Sequence, residues 1–409
     1  MKKIYRVTTY LNIETVLKLL LIILLFTISI RYFQSRLYLS DLKVYYGASH
    51  KLFSSLHTNI GENNPYHYYY GLVSGYYKYA PFFLILFSVI AAIPWSVLII
   101  LYPILNLFGL YVLYKGMKNL LSDKLNVSTT KEKQYLNNAF ILGVILQSHN
   151  IYREVLIGNI NIFLMILLLY FLIFNLDKKI LSSSLCLSLL VLIKPHFIFI
   201  LLLLFFYKKF KTILYTTLIS ILLLLSTVPF FGVGNSLELM YGWFTAMLMH
   251  NSANAYIENP LNLQFVLWKL GFLFKLNSHL FVNIIIVFVP FITFLFLFLK
   301  RKKYLFEDKY FIIFTFFLSA IIPFILLVDT NQLLYIFPFS VYLFYKALPN
   351  IKNTYFLWAL FFCVYVFTLL TQQIPRDWMP IDKFIGGAYL LLLFISYRIK
   401  ILAAFDKSY

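Results

Sequence analysis

An aspartate stands just beyond the first long apolar run, in Ser40-Asp41-Leu42-Lys43-Val44-Tyr45-Tyr46. A carboxylate so placed can take a proton from an attacking hydroxyl as a general base. Further along come His149, Asn150, Arg153 and Glu154, then Gly158-Asn159-Ile160-Asn161 opening an apolar run. Lys194-Pro195-His196 interrupts another. An ionisable residue at membrane depth is expensive and is a functional candidate by default. Pro195 lacks an N–H and breaks the helix there, freeing carbonyls for a cavity or ligand. Asp329-Thr330-Asn331-Gln332 ends a later apolar segment. Arg153, Lys194 and His196 suit a phosphate through charge-assisted hydrogen bonds. Asn159 and Asn161 offer amides that orient hydroxyl groups, and Asp41 supplies the base. Together these groups fit an amphiphilic substrate with an anionic head, such as a lipid-linked phosphosugar.

The elements that must hold these residues are membrane helices. Of 409 residues, 62% are hydrophobic and only 12% charged, about half the charge of a soluble domain. Runs such as Val16 to Ile30, Ile160 to Leu176, Ile213 to Phe231, Leu280 to Leu299 and Tyr310 to Val328 approach the ~20 residues that cross a hydrocarbon core. They do not alternate as barrel strands would. The expected fold is an all-α integral membrane protein, a polytopic bundle of about 11–12 transmembrane segments in one domain over residues 1–409. Segments fall near residues 14–32, 79–94, 95–115, 137–149, 160–176, 180–194, 196–207, 212–231, 279–299, 310–328, 332–347, 353–372 and 384–402. Two long polar stretches, 33–78 and 232–278, are expected as outer loops, the first carrying Asp41 and a short amphipathic helix from Ser40 or Asp41 to Leu56.

The net charge of +20 does not point to nucleic acid. The basic residues cluster at the ends of apolar segments: Lys2, Lys3 and Arg6; Lys178 and Lys179; Lys208, Lys209 and Lys211; Lys300 to Lys303; Arg398 and Lys400. That is the positive-inside pattern, with anionic lipid as partner. It puts 33–78, 149–159, 194–196, 232–278, 329–331 and 372–383 on the outer face, and hence the candidate residues on one side. Between residues 79 and 149 one of three segments must dip and return; 137–149 and the Pro94-interrupted stretch are the candidates. Otherwise Lys115 to Lys133 faces outward. Arg31 to Arg36 offers no cleavage site, so the first helix is expected to be retained. Cys186 and Cys363 lie in apolar segments and suggest neither disulfide nor metal. His149, His196 and His250 lack metal-ligand spacing.

Each candidate also has a plainer reading. Asp41 can cap the helix it starts. Lys194 can snorkel from a helix end. Arg153 and Glu154 can be a solvated loop pair. Gly158 can be an ordinary turn glycine, with Asn159 or Asn161 as helix cap, and Asp329 a helix end. The tyrosines of 33–78 and beyond (Tyr66, Tyr68, Tyr69, Tyr70, Tyr76, Tyr77, Tyr79) suit an interfacial belt as well as a sugar platform.

The ordered set resembles glycosyltransferase family 87, the polyprenyl-phosphate-mannose-dependent enzymes of the GT-C superfamily. The family pattern Asp-x-x-Val-Tyr-Tyr-x-Ala is similar to Asp41 through Ala48, and Tyr79-Ala80-Pro81 resembles its Tyr-Pro-Pro. Gly158-Asn159-Ile160-Asn161 resembles its Gly-Gln-x-Asn, and Lys194-Pro195 its Lys-Pro. Asn259 to Gln264, with Asn262, stands where the family has a later Asn-rich segment. The resemblance implies a GT-C-like bundle and an inverting hexosyl transfer, mannose being the first expectation, with Asp41 as base. The sugar and acceptor site would draw on Tyr45, Gly158, Asn159, Asn161, Asn262 and Asp329, and the donor phosphate on Lys194, Arg153 and His196. The donor would be a polyprenyl-phosphate sugar and the acceptor a lipid or glycan, with no cofactor beyond the lipid-linked donor. High Lys, Asn, Ile, Phe and Tyr content suggests an AT-rich bacterial genome, hence the cytoplasmic membrane with the site outward. Two rival classes stay open: a flippase for polyprenyl-linked glycans, which should show repeats, and a glycan polymerase, whose outer loop should be arginine-rich, whereas 232–278 holds no arginine.

Overall fold

A computed structural model describes residues 39–54, 64–67, 77–124, 129–254, 307–325 and 334–348, with scattered positions between 15 and 32. Every regular element among the described residues is helical. The chain divides into two compact units, one of residues 1–34, 121–153 and 336–409, the other of residues 35–120 and 154–335.

In the first unit, α4 (Thr130–Leu146) packs on α12 (Phe337–Ala347). Helix α4 starts seven residues earlier than its apolar run. Thr129 and Glu132 form a reciprocal capping box that carries the helix into polar sequence. Gly143 lets the two helices meet closely, since a Cβ there would stand 2.8 Å from Val341. Phe140 closes edge-on against Phe337 at 5.2 Å.

The second unit begins with α1 (Ser40–Ser54), the expected helix after the first apolar run. Helix α1 packs against α2 (Pro81–Ala91), whose start has proline in its first turn, where a missing N–H costs nothing. Helix α3 (Trp95–Lys124) outruns the expected segment 95–115, so Lys115 and Lys118 ride on a helix and not in a loop. Gly109 and Gly116, two turns apart, let α3 approach α6 (Asn161–Leu176) at Ile162 and Leu169.

Helix α6 and α7 (Ile180–Ile193) form a hairpin closed by Asp177-Lys178-Lys179, with Lys178 in the left-handed region at φ 60°. A 3-10 turn, Pro195–Ile198, then leads into α8 (Phe199–Phe206). Lys208, at φ 54°, closes the next hairpin into α9 (Phe210–Leu225). Both turns return the backbone in the same way: Lys179 N–H donates to Phe174 O at 2.8 Å and Lys209 N–H to Leu204 O at 2.9 Å. The Lys209 ammonium donates to Asn175 Oδ1 and sits 4.6 Å from the centre of the Phe311 ring, on α11 (Asp308–Ile325). The two basic turns therefore share one end of the hairpins. Asn161 and Lys194, at the other ends of α6 and α7, share the opposite end, about 20 Å away along a 14-residue helix. Between α7 and α9 the serines do the pairing. Ser184 Oγ donates to Thr212 O at 3.1 Å and Ser188 Oγ to Thr216 O at 2.9 Å. Small polar residues hold close helix contacts where apolar association has little driving force.

Two departures from the sequence reading concern bends. Residues 149–159, expected as an outer stretch, form α5 (Ser148–Ile157), and its residues from Asn150 turn by 114° into α6. The apolar run 212–231 breaks after Leu225. It turns by 95° into α10 (Val228–Asn254), so the first part of the expected loop 232–278 is helix. The backbone leaves the helix at Gly232 (φ 76°, ψ 169°), and beyond it Val233, Leu237, Tyr241 and Phe244 leave a bare apolar stripe along α10. Ser236, Leu239 and Gly242 lie on its packed side. Among the described residues, Trp95–Asp123 is long and apolar enough to cross a membrane, and the two bent pairs pass the same test together. Leu214, Leu218, Ile221 and Leu222 on α9 are likewise exposed. A surface this apolar requires a partner or lipid.

Gly158 and Gly232 share φ +76°, but a Cβ at Gly158 would meet Leu42 Cβ at 2.5 Å and Leu42 N at 3.1 Å, whereas Gly232 faces open space. Gly158→Ala should therefore cost about 1–3 kcal/mol and lower the melting temperature in detergent by several degrees. Gly232→Ala should lower it by less, and equal shifts would contradict this packing of α1.

Candidate active site

The site is built on the turn between α5 and α6. Helix α5 ends at Ile157, and Gly158 reverses the backbone with its N–H still bonded to Glu154 O at 3.1 Å. Asn159 N–H reaches the same carbonyl at 3.1 Å. The absence of a side chain at Gly158 brings the start of α1 into contact with this turn, and Asp41 lies in α1's first turn. Asn159 Nδ2–H then donates to Asp41 Oδ2 at 2.6 Å. Its amide oxygen accepts the Ile160 N–H at 2.7 Å, and its backbone carbonyl accepts the Tyr102 hydroxyl of α3. Asn159 is 4% exposed and Asp41 half-buried, so the carboxylate stands at the edge of the packed core. A carboxylate in the first turn of a helix also faces the positive end of the helix dipole.

Two residues on, Asn161 holds a second carboxyl. Its backbone N–H donates to Glu154 Oε1 and its side-chain amide to Glu154 Oε2 at 2.9 Å. Tyr335 O–H donates to Asn161 Oδ1 at 2.6 Å. Glu154 and Asn161 are both 0% exposed. Glu154 is therefore not half of a solvated loop pair. It faces inward with Ile151 and Val155 and satisfies the opening N–H of α6. A buried carboxyl is tolerated only where donors meet it, and Asn161 supplies two.

The third wall is aromatic. Tyr45, one turn along α1 from Asp41, stacks on Phe87 at 4.8 Å, and its hydroxyl lies 2.8 Å from that of Tyr79. Burial first, then Tyr79 and the Asp41 carboxyl, push the Tyr45 phenol well above its ordinary range, so it remains a neutral hydrogen-bonding group. Tyr66 O–H donates to Tyr79 O at 2.6 Å, and Ala80 N–H to Leu192 O at 3.3 Å, tying this segment to the end of α7. The other side of Tyr66 meets α10. Asn64 and Tyr66 pack onto Gly242, and Trp243 Nε1–H donates to Lys78 O at 3.0 Å.

Lys194 caps α7 in an extended conformation (φ −133°, ψ 92°), the helix break that Pro195 dictates. Its ammonium stands 5.6 Å from the centre of the Tyr79 ring. Lys194 and Asp41 thus flank one hydrogen-bonded pair, Tyr45 and Tyr79. Half-buried His196 packs its ring 5.8 Å from that of Tyr335, and its Nε2 is buried with no hydrogen-bond partner among the described residues.

The structure therefore brings Asp41, Tyr45, Gly158, Asn159, Asn161, Lys194 and His196 to one end of the second unit. Arg153 is half-buried on α5 and belongs to the first unit. Asn262 and Asp329 lie outside the described residues. Tyr45, Asn159 and Asn161, read from sequence as sugar ligands, are buried with their polar atoms in protein hydrogen bonds. The sequence reading gives Glu154 a place only in a polar stretch and Tyr79 one only among the tyrosines and the Tyr79-Ala80-Pro81 motif, and it does not name Tyr102 or Tyr335. Glu154 had a signal: it shares the inward face of a short helix with Ile151 and Val155. Tyr102 and Tyr335 sit in apolar runs, where nothing marks them.

Because Glu154 and Tyr335 both serve Asn161, their effects should be coupled. Glu154→Ala leaves a buried N–H without its acceptor and should cost about 1–3 kcal/mol, and Tyr335→Phe about 1 kcal/mol. The double variant, unfolded in mixed detergent, should lose less than the sum; strict additivity would dissolve the proposed chain.

Comparison with known proteins adds a family match. The model of glycosyltransferase family 87 covers residues 77–328, which includes the Gly158 to Asn161 turn and Lys194-Pro195 and starts after α1. No curated protein and no solved structure matches. With more than half of its length matched, the chain belongs to glycosyltransferase family 87.

Proposed function

We propose that this family 87 glycosyltransferase is a multipass membrane enzyme that moves a hexose, with mannose the first choice, from a polyprenyl-phosphate donor to a lipid or glycan hydroxyl. The observation that carries the reading is Asp41, half-exposed and held by Asn159, at the end of the bundle that also carries Lys194. A carboxylate at that edge can reach an acceptor hydroxyl, and the cation can meet the phosphate of an amphiphile whose tail stays in lipid.

In the proposed reaction the acceptor oxygen attacks the anomeric carbon as its proton passes to Asp41. The new C–O bond forms on the ring face opposite the phosphate, and the bond from the anomeric carbon to the phosphate oxygen breaks, inverting the configuration. Polyprenyl phosphate leaves with the bonding pair. Lys194 stabilises the negative charge developing on it, with His196 as a hydrogen-bonding neighbour and Arg153 a further cation for the headgroup. Asn262 and Asp329 remain candidates for acceptor contacts. The Tyr45–Tyr79–Phe87 cluster forms the floor between base and cation.

The basic turns at Lys178 and Lys208 support an orientation with that end in the cytoplasm. The opposite end, with Asp41 and Lys194, then faces the outer side of the cytoplasmic membrane. The bare stripe of α10 suits a helix lying in the membrane interface, and the exposed faces of α3 and α9 suit lipid contact.

The test is transfer from radiolabelled polyprenyl-phosphate mannose and glucose by protein in liposomes, with a membrane lipid extract as acceptor. Asp41→Asn should lose about 10²-fold or more. Lys194→Ala should lose about 10- to 10²-fold in kcat/KM for the donor. Full activity in Asp41→Asn would overturn the assignment of the base. A labelled lipid-linked glycan that changes leaflet while no donor is consumed would replace the enzyme with a transporter.

A further inference from the structure

We propose that Asn159 is a positioning residue: its side-chain amide aims the Asp41 carboxylate at the acceptor and holds it ionised. This rests on Asp41 being the base, and it gives Asn159 a role other than binding sugar.

Asn159 has its backbone and its side chain engaged at both ends. Its backbone N–H donates to Glu154 O, its backbone carbonyl accepts Tyr102 O–H, and its side-chain oxygen accepts Ile160 N–H at 2.7 Å. That last bond fixes which end of the amide points where. An N–H can be met only by the oxygen, so the nitrogen must face Asp41, and it does so at 2.6 Å. In the flipped amide, oxygen would oppose a carboxylate oxygen and nitrogen would oppose an N–H. The orientation is therefore determined at both ends. At 4% exposure, the side chain has little surface left for a sugar hydroxyl.

The backbone is fixed as firmly as the side chain. A Cβ at Gly158 would meet Leu42, the residue after Asp41, at 2.5 Å from its Cβ and 3.1 Å from its backbone nitrogen, so the approach of the Asn159 turn to the start of α1 leaves no room for a side chain there. Held at one oxygen, the Asp41 carboxylate loses rotation about its last bond. A donated N–H also favours the ionised form over the protonated one, as does the N-terminus of α1. Among the described residues, Tyr45 on its own helix, Tyr102 on α3 and Glu154 on α5 interact electrostatically with Asp41. Lys43 lies two residues along α1, and Lys194 stands beyond Tyr79.

Two variants of the full-length protein in liposomes test this, with polyprenyl-phosphate mannose as donor. Asn159→Asp has the same shape, keeps an oxygen for the Ile160 N–H, and sets a carboxylate against Asp41. Asn159→Ala removes both functions. The expected result for Asn159→Ala is a loss of about 10-fold in kcat, an unchanged donor KM, and an acidic limb of the pH–rate profile moved up by about one pH unit. The limb should move further in Asn159→Asp, whose fold is checked by gel filtration and which carries the test alone if Asn159→Ala does not fold. An unmoved acidic limb in folded Asn159→Asp, or a donor KM that rises in place of the limb shift, overturns the inference. Asp41→Asn run alongside separates the two claims: if it keeps full transfer, the base itself is misassigned; if it is inactive while both Asn159 variants keep the wild-type limb, only the role of Asn159 fails.

Discussion

A hydrogen bond between residues 118 positions apart, from the Asn159 amide to the Asp41 carboxylate at 2.6 Å, is where the local geometry of this protein becomes chemistry. It can form only because Gly158 adopts a backbone conformation closed to most residues and leaves no side chain between the turn and α1. The turn in turn depends on Glu154, whose backbone carbonyl anchors Gly158 and Asn159 and whose carboxyl closes the first turn of α6 through Asn161. One tetrapeptide, Gly158 to Asn161, thus holds two carboxyls with two asparagines. One carboxyl, that of Glu154, is buried, and the other, that of Asp41, stands half-buried at the edge.

The rest of the second unit keeps that edge in place and at the right end. Helices α6 and α7 return on each other through a basic turn, which separates the lysines at Lys178 and Lys208 from the Asp41 end by the length of the hairpin. Lys194 then emerges where Pro195 stops α7, against an aromatic floor whose tyrosine hydroxyls bond to each other and to backbone. Family membership and this geometry bear on different residues. The family match starts at residue 77 and takes in Lys194-Pro195 and the Gly158 turn. Asp41, upstream of the match, enters the site through its bond to a residue inside it.

Much of this was legible in sequence, for reasons that can be named. Apolar runs gave the helices, because a chain in lipid must satisfy its own backbone. Asp41 read as the start of a helix, and Pro195 as a break, because those effects are local. What escaped was decided by tertiary contact. Residues 149–159 read as polar loop because charge content alone does not reveal which face of a short helix the residues share. Leu225 gave no warning of a 95° turn, since the composition on both sides of it is apolar. Asn159 and Asn161 read as sugar ligands because an exposed amide and a buried one look alike in sequence. Only their partners, Asp41, Glu154 and Tyr335, distinguish them.

The most direct measurement is a structure of the Asp41→Asn protein in nanodiscs, trapped with an intact polyprenyl-phosphate hexose and an acceptor analogue. With Asp41 as base, the acceptor hydroxyl should lie within hydrogen-bond reach, about 2.6–3.2 Å, of the residue 41 side chain. That hydroxyl should lie on the ring face opposite the phosphate, with the Lys194 ammonium on the phosphate and Asn159 still bonded to residue 41. A headgroup seated at another end of the bundle, or an acceptor hydroxyl on the same face of the sugar ring as the phosphate, would contradict this mechanism.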